Sequence, residues 1–101
     1  MASRLSLQKT LEDILGSRNV YYQPPASVKM KYPAIVYSRK DIETIHANNA
    51  KYNSRRCYDV TVIDENPDSI FLDKILELPL SRFDRHYTAE NLNHDVFTIY
   101  Y

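Results

Sequence analysis

The run Arg55-Arg56-Cys57-Tyr58-Asp59-Val60-Thr61-Val62-Ile63-Asp64 narrows the folding problem more than any other segment of this chain. Neighbouring side chains of a strand point to opposite faces, so Tyr58, Val60 and Val62 share one face while Cys57, Asp59, Thr61 and Ile63 share the other. Sheet formers in that alternation predict a strand. A strand needs paired neighbours and a covering layer, and the rest of the chain must supply both. At 101 residues there is material for a single domain over 1–101, and no repeat, low-complexity tract or linker divides it.

The covering layer is predicted at two places. Leu7, Leu11, Ile14 and Leu15 fall at i, i+4, i+7 and i+8, a stripe that predicts a helix over about Ser3–Leu15, capped by Ser3 or Ser6 and ended by Gly16. Asn66-Pro67-Asp68 has the form of a helix start, with Phe71, Ile75 and Leu78 as its buried stripe and Pro79 as its end. The remaining segments predict strands. Asn19–Tyr22 is short and is closed by Gln23-Pro24-Pro25, and Ala34–Ser38 runs on toward Ile45 with neither face clearly apolar. The polar stretch His46–Ser54 is expected to form a hairpin tip, so that a polar hairpin around 45–55 projects from the domain. Leu80–Thr88 and Asn93–Tyr101 form a last hairpin turning at Ala89-Glu90-Asn91. Val96–Tyr101 is apolar on both faces, which places it inside the sheet or under a partner. The expected fold is α+β, in the order α-β-β-β-α-β-β, with two helices on one face of a mainly antiparallel or mixed sheet.

Composition removes several classes of function. The 13 Lys+Arg balance 13 Asp+Glu, which weighs against a general nucleic-acid binder. One cysteine, Cys57, excludes an internally stapled secreted mini-protein. One glycine, Gly16, leaves no phosphate-cradling loop and no glycine-dependent nucleophile elbow. No apolar run spans a bilayer and Met1–Lys9 lacks a signal peptide's hydrophobic stretch, so no membrane contact is expected.

Enzyme chemistry has two candidate sets, both thin. Asp84, His86, Glu90, His94 and Asp95 have metal-ligating side chains, and His86 and His94 are close enough in the expected hairpin to meet across it, as a metal-dependent hydrolase or nuclease would need. His94 and Asp95 point to opposite faces, however, and no thiolate is nearby. Cys57 follows Arg55 and Arg56, whose charge lowers a thiol pKa, but spacing offers it no base. The expectation is therefore no catalytic residue, no metal and no cofactor. Charge is more suggestive locally: Arg39, Lys40, Lys51, Arg55 and Arg56 gather on the expected hairpin as an arm suited to an acidic protein surface or to passing DNA. Nine tyrosines suit either a half-buried sheet or a protein interface.

Val20–Pro25, Tyr32–Tyr37, Tyr58–Asp64, Asn66–Ser69, Phe83–Thr88 and Asn91–Phe97 together resemble the small tail-completion or tail-terminator proteins of long-tailed phages and prophages of Gram-positive bacteria, also labelled minor capsid or head–tail joining proteins. The resemblance implies a non-enzymatic virion protein of the neck, assembled in the host cytoplasm. It implies a ring of copies, expected to be a hexamer, that caps the tail tube and meets the head connector. DNA in the lumen would be touched only non-specifically. On this expectation Phe97, Ile99, Tyr100 and Tyr101 form the self-association surface and the basic arm docks axially. The alternatives are a head-completion protein of the same neck, a small metal-dependent nuclease or hydrolase, and a host adaptor or immunity protein that binds other proteins.

Overall fold

Leucines recurring every fourth residue give the first element its buried side. In the computed structural model, which describes residues 4–47 and 50–101, helix α1 (Arg4–Leu15) buries Leu7, Leu11 and Leu15. Gly16 ends it with φ 76°, its N–H donating to Glu12 O at 2.8 Å, a left-handed position where glycine has no steric penalty. The chain continues through β1 (Val20–Tyr22), β2 (Ala34–Ala47), β3 (Ala50–Asp64), α2 (Leu72–Leu76), β4 (Ser81–Ala89) and β5 (Leu92–Tyr100). The α+β order is the expected one.

The five strands form one sheet in the order β1-β2-β3-β5-β4. It is mixed: β1 pairs parallel to β2, and the other three pairings are antiparallel. Register lines up Tyr37, Val60, Phe97 and Phe83 as one row across four strands. The inner three of that row are fully buried. They join Ile35, Tyr58, Val62 and Ile99 of the sheet, the α1 leucines and Ile75 of α2 in one core, so both helices cover the same face. Val96–Tyr101 is apolar on both faces because β5 lies between β3 and β4, with Asp95–Ile99 all buried.

Two expectations change. The Asn66-Pro67-Asp68 signal opens a turn rather than a helix. Asp64 Oδ1 accepts from Asn66 N–H at 3.1 Å, Asn66 Oδ1 from Asp68 N–H at 2.9 Å, and Ser69 Oγ from Phe71 N–H at 3.4 Å. Those side chains satisfy the N–H groups that a helix would otherwise need to cap, and helix starts only at Leu72. Ser81 Oγ then sits 2.9 Å from Ile75 O and 2.8 Å from Leu78 O, a donor beside carbonyls that so short a helix leaves open. The expected tip at 46–54 is also mostly strand: β2 runs to Ala47, β3 begins at Ala50, and Glu43↔Arg55, Thr44↔Ser54 and Ile45↔Asn53 are paired. A ladder is made by backbone groups, so a polar sequence is compatible with a strand as well as a loop. Residues 48 and 49 lie outside the described part.

Candidate interaction surface

β3 pairs with β5 only over Cys57–Asp64. Before Cys57 the backbone bonds between Arg56 and Tyr101 are the last tie to the body, at 2.9 and 3.4 Å. From there, among the described residues, the strands 41–47 and 50–55 have only each other as strand partners, and seven residues at about 3.3 Å each carry them roughly 20 Å outward. The molecule measures 50 × 26 × 23 Å, long in one dimension. A two-stranded ribbon of this kind buries little of itself in isolation.

The base of the arm is braced. The Tyr37 ring lies 4.9 Å from Tyr22, tilted by 50°, and 6.0 Å edge-on to Tyr58, and the Arg4 guanidinium lies 4.4 Å from the Tyr22 ring centre. Arg4 Nη1 donates to Tyr37 Oη at 3.2 Å, and Tyr37 Oη donates to Gln8 Oε1. Burial pushes the hydroxyls of Tyr37 and Tyr58 above the usual tyrosine range. These tyrosines therefore serve the core, while Tyr32 and Tyr87 are exposed.

The five predicted cations do share this hairpin, spread along it rather than clustered. Arg39 is exposed and Lys40 Nζ lies 3.9 Å from Asp59 Oδ1 at the body end; Arg56 is half-buried at the junction. Lys51 stands opposite His46 near the outer end and Arg55 opposite Glu43.

The expected self-association set is divided by the fold. Phe97 and Ile99 are 0% and 1% exposed, enclosed by their own chain, and have no surface left for a second copy. Tyr100 and Tyr101 are half-buried, the latter with its hydroxyl 2.8 Å from Ser6 Oγ. The outer flank is instead β4, every residue of which except Ser81 is exposed. Its Phe83 and Tyr87, with Leu76 and Leu80 nearby in the chain, are large apolar groups open to solvent. Sequence reasoning missed them because β4 reads as polar, with Arg82, Asp84 and Arg85 among its residues and a bulge between Phe83 and Arg85.

Register also separates the two histidines. His86 stands opposite Asp95 and Tyr87 opposite His94, so the imidazoles occupy adjacent register positions on opposite faces and do not meet. His86 Nδ1 lies 2.8 Å from the buried Asp95 Oδ1, and His94 stacks on Tyr87 at 4.6 Å. Asp84 pairs with Arg85 at 2.8 Å, and Glu90 sits in the turn with φ 53°. Among the described residues no three His, Cys, Asp or Glu side chains converge as metal ligands would. Cys57 is buried. Among the described residues no helix is long and apolar enough to cross a membrane.

One shallow groove, of about 510 Å³, lies on the helix layer between Thr10, Asp13 and Ile14 of α1 and Lys74, Glu77 and Leu78 at α2. Its apolar residues are half-buried, while Asp13, Lys74 and Glu77 are exposed.

No protein-family model matches the chain, and neither a curated protein nor a solved structure matches it.

Proposed function

We propose that this chain is a structural subunit of a long-tailed phage neck, which completes the tail tube and joins it to the head connector as a member of a ring, without making or breaking a bond. The arm carries this reading: a two-stranded ribbon that continues past the last residues paired with β5 offers a projecting element to a neighbour. The sequence resemblance supplies the setting. An α+β body with unlike flanks, a short β1 on one side and the exposed β4 on the other, suits head-to-tail contacts, which close into rings.

Electron microscopy of particles made without this gene product tests the proposal. Full heads beside unjoined or overlong tails are expected. Intact, infectious particles overturn it, and emptied heads beside tails of normal length move the protein to the head side of the joint. Metal analysis of the purified chain is expected to find no bound ion, and metal-dependent cleavage of nucleic acid would replace the structural reading with an enzymatic one.

A further inference from the structure

Three arginines far apart in sequence meet where the arm leaves the body. Arg39 follows Tyr37 by two residues on β2 and stands opposite Tyr58, so these three share the face that the helices cover. Arg56 precedes Tyr58 by two residues on β3 and takes the next position on that face, about 7 Å further out. Helix α1 supplies the third: Arg4 lies over the Tyr22 ring at 4.4 Å and donates to Tyr37 Oη at 3.2 Å. Ser6, in the same helical turn, reaches the hydroxyl of Tyr101, whose backbone is tied to Arg56. We propose that Arg4, Arg39 and Arg56 form a site for a phosphate group, free or carried on a small ester.

The three charges converge on one place. Burial raises the pKa of the Tyr58 hydroxyl, and the fields of Arg56, Arg39 and Arg4 all act on that oxygen to oppose the rise. A phosphate dianion takes charge from more than one cation, where a carboxylate needs only one, and the planar guanidinium fork matches its oxygens. Arg4 is prepared before a ligand arrives, because ring and hydroxyl already hold it and little rotamer freedom is left to lose. The walls are the buried rings of Tyr37 and Tyr58 with the half-buried Tyr22, which lower the local dielectric and strengthen each charge. Register sends the neighbouring acids of the ladder to the other face: Asp59 stands there with Lys40 3.9 Å away, and Asp41 takes the position opposite Cys57. Arg39 is exposed and Arg4 half-buried, so a solute can reach them. Arg39 and Arg56 thus work with Arg4 at the base, rather than with Lys51 and Arg55 further out. The site stands whether or not the chain joins phage tails.

Titration of the full chain followed by NMR, reading the arginine Nε–H signals, tests the site. Sodium phosphate at neutral pH is expected to shift the Arg4 and Arg39 signals with saturation, and sodium acetate at matched ionic strength is expected not to. Arg39→Gln, at an exposed position, should weaken phosphate binding by roughly tenfold or more. Arg39→Lys should fall between, because it keeps the charge and loses the fork. Lys74→Gln removes an exposed charge at α2 and should bind as wild type does, with circular dichroism checking that each variant folds. Adenosine 5′-monophosphate separates the sources: tighter binding than phosphate assigns a small ester, equal or weaker binding assigns the free ion, and both keep the site. No saturation at millimolar phosphate, an Arg39→Gln variant that binds like wild type, or the same loss in Lys74→Gln overturns the proposal. As a second readout, phosphate should raise the urea midpoint of wild type more than that of Arg39→Gln. An equal rise in both is a general salt effect and counts against the site.

Discussion

The two hairpins of this protein share a motif and differ in what holds them. The β4–β5 hairpin turns at Glu90-Asn91 and is docked along its length, because β5 pairs with β3 over Cys57–Asp64 and buries Asp95–Ile99. The β2–β3 hairpin is docked for its first half and then leaves the body. Both halves of the longer hairpin are paired strand to strand, with register shifts between Arg39 and Asp41 and between Ile45 and His46, so ladder pairing does not decide which part is anchored. Apolar burial does: Ile35, Tyr37, Tyr58, Val60 and Val62 lie in the anchored half, while residues 41–47 and 50–56 are mostly charged, small or polar, with Ile42, Ile45 and Tyr52 as their large apolar residues.

The largest break in that contrast should come from the docked hairpin. Phe97→Ala empties the centre of the core row and is expected to cost about 3–5 kcal/mol in urea unfolding. A cost below 1 kcal/mol would mean that β5 is not the anchor. Next is Tyr37→Phe at the base of the arm, which removes one donor to Gln8 and one acceptor for Arg4, and should cost about 1–2 kcal/mol near neutrality. The same variant has a signature in pH. Tyr37 and Tyr58 hold their protons more firmly folded than unfolded, so their contribution is complete below the ordinary tyrosine value of 10.0 and is lost as pH rises above it. Urea midpoints followed from neutral to strongly alkaline pH should therefore fall less steeply for Tyr37→Phe than for wild type.

A smaller change, of opposite sign, is expected in the tight turn. Glu90 and Asn91 have φ values of 53° and 64°, a conformation that costs a glutamate about 1 kcal/mol. Glu90→Asn with Asn91→Gly should raise the unfolding midpoint, and a drop would show that the Glu90 side chain matters more than its backbone. Smallest of all, replacing 43–55 with a two-residue Asn-Gly turn between the partners Ile42 and Arg56 should change stability by no more than about 0.5 kcal/mol. A large loss of stability would mean that the arm belongs to the core after all.

How far this was legible in the sequence follows from the same contrast. The α1 leucines and the alternation of Tyr58–Ile63 announce themselves because burial imposes a period. The enclosure of Val96–Ile99 was legible as well, but not which element would enclose it, since an apolar strand looks the same beneath β4 as beneath a partner. Asn66-Pro67-Asp68 misled because one set of side chains serves a turn and a helix start equally well. The three residues of β1 say nothing about direction, which is set by the crossover to Ala34. The groove was invisible, as Asp13 and Glu77 are 64 positions apart and only the packing of α1 beside α2 brings them together.

The bulge between Phe83 and Arg85, flanked by charged Arg82 and Asp84, has a consequence for what concentrated protein can become. A flat, apolar rim would recruit any passing strand and extend the sheet without limit, the route to fibrils. A kinked rim studded with both signs of charge rejects that addition, so even concentrated protein should resist growth into insoluble threads.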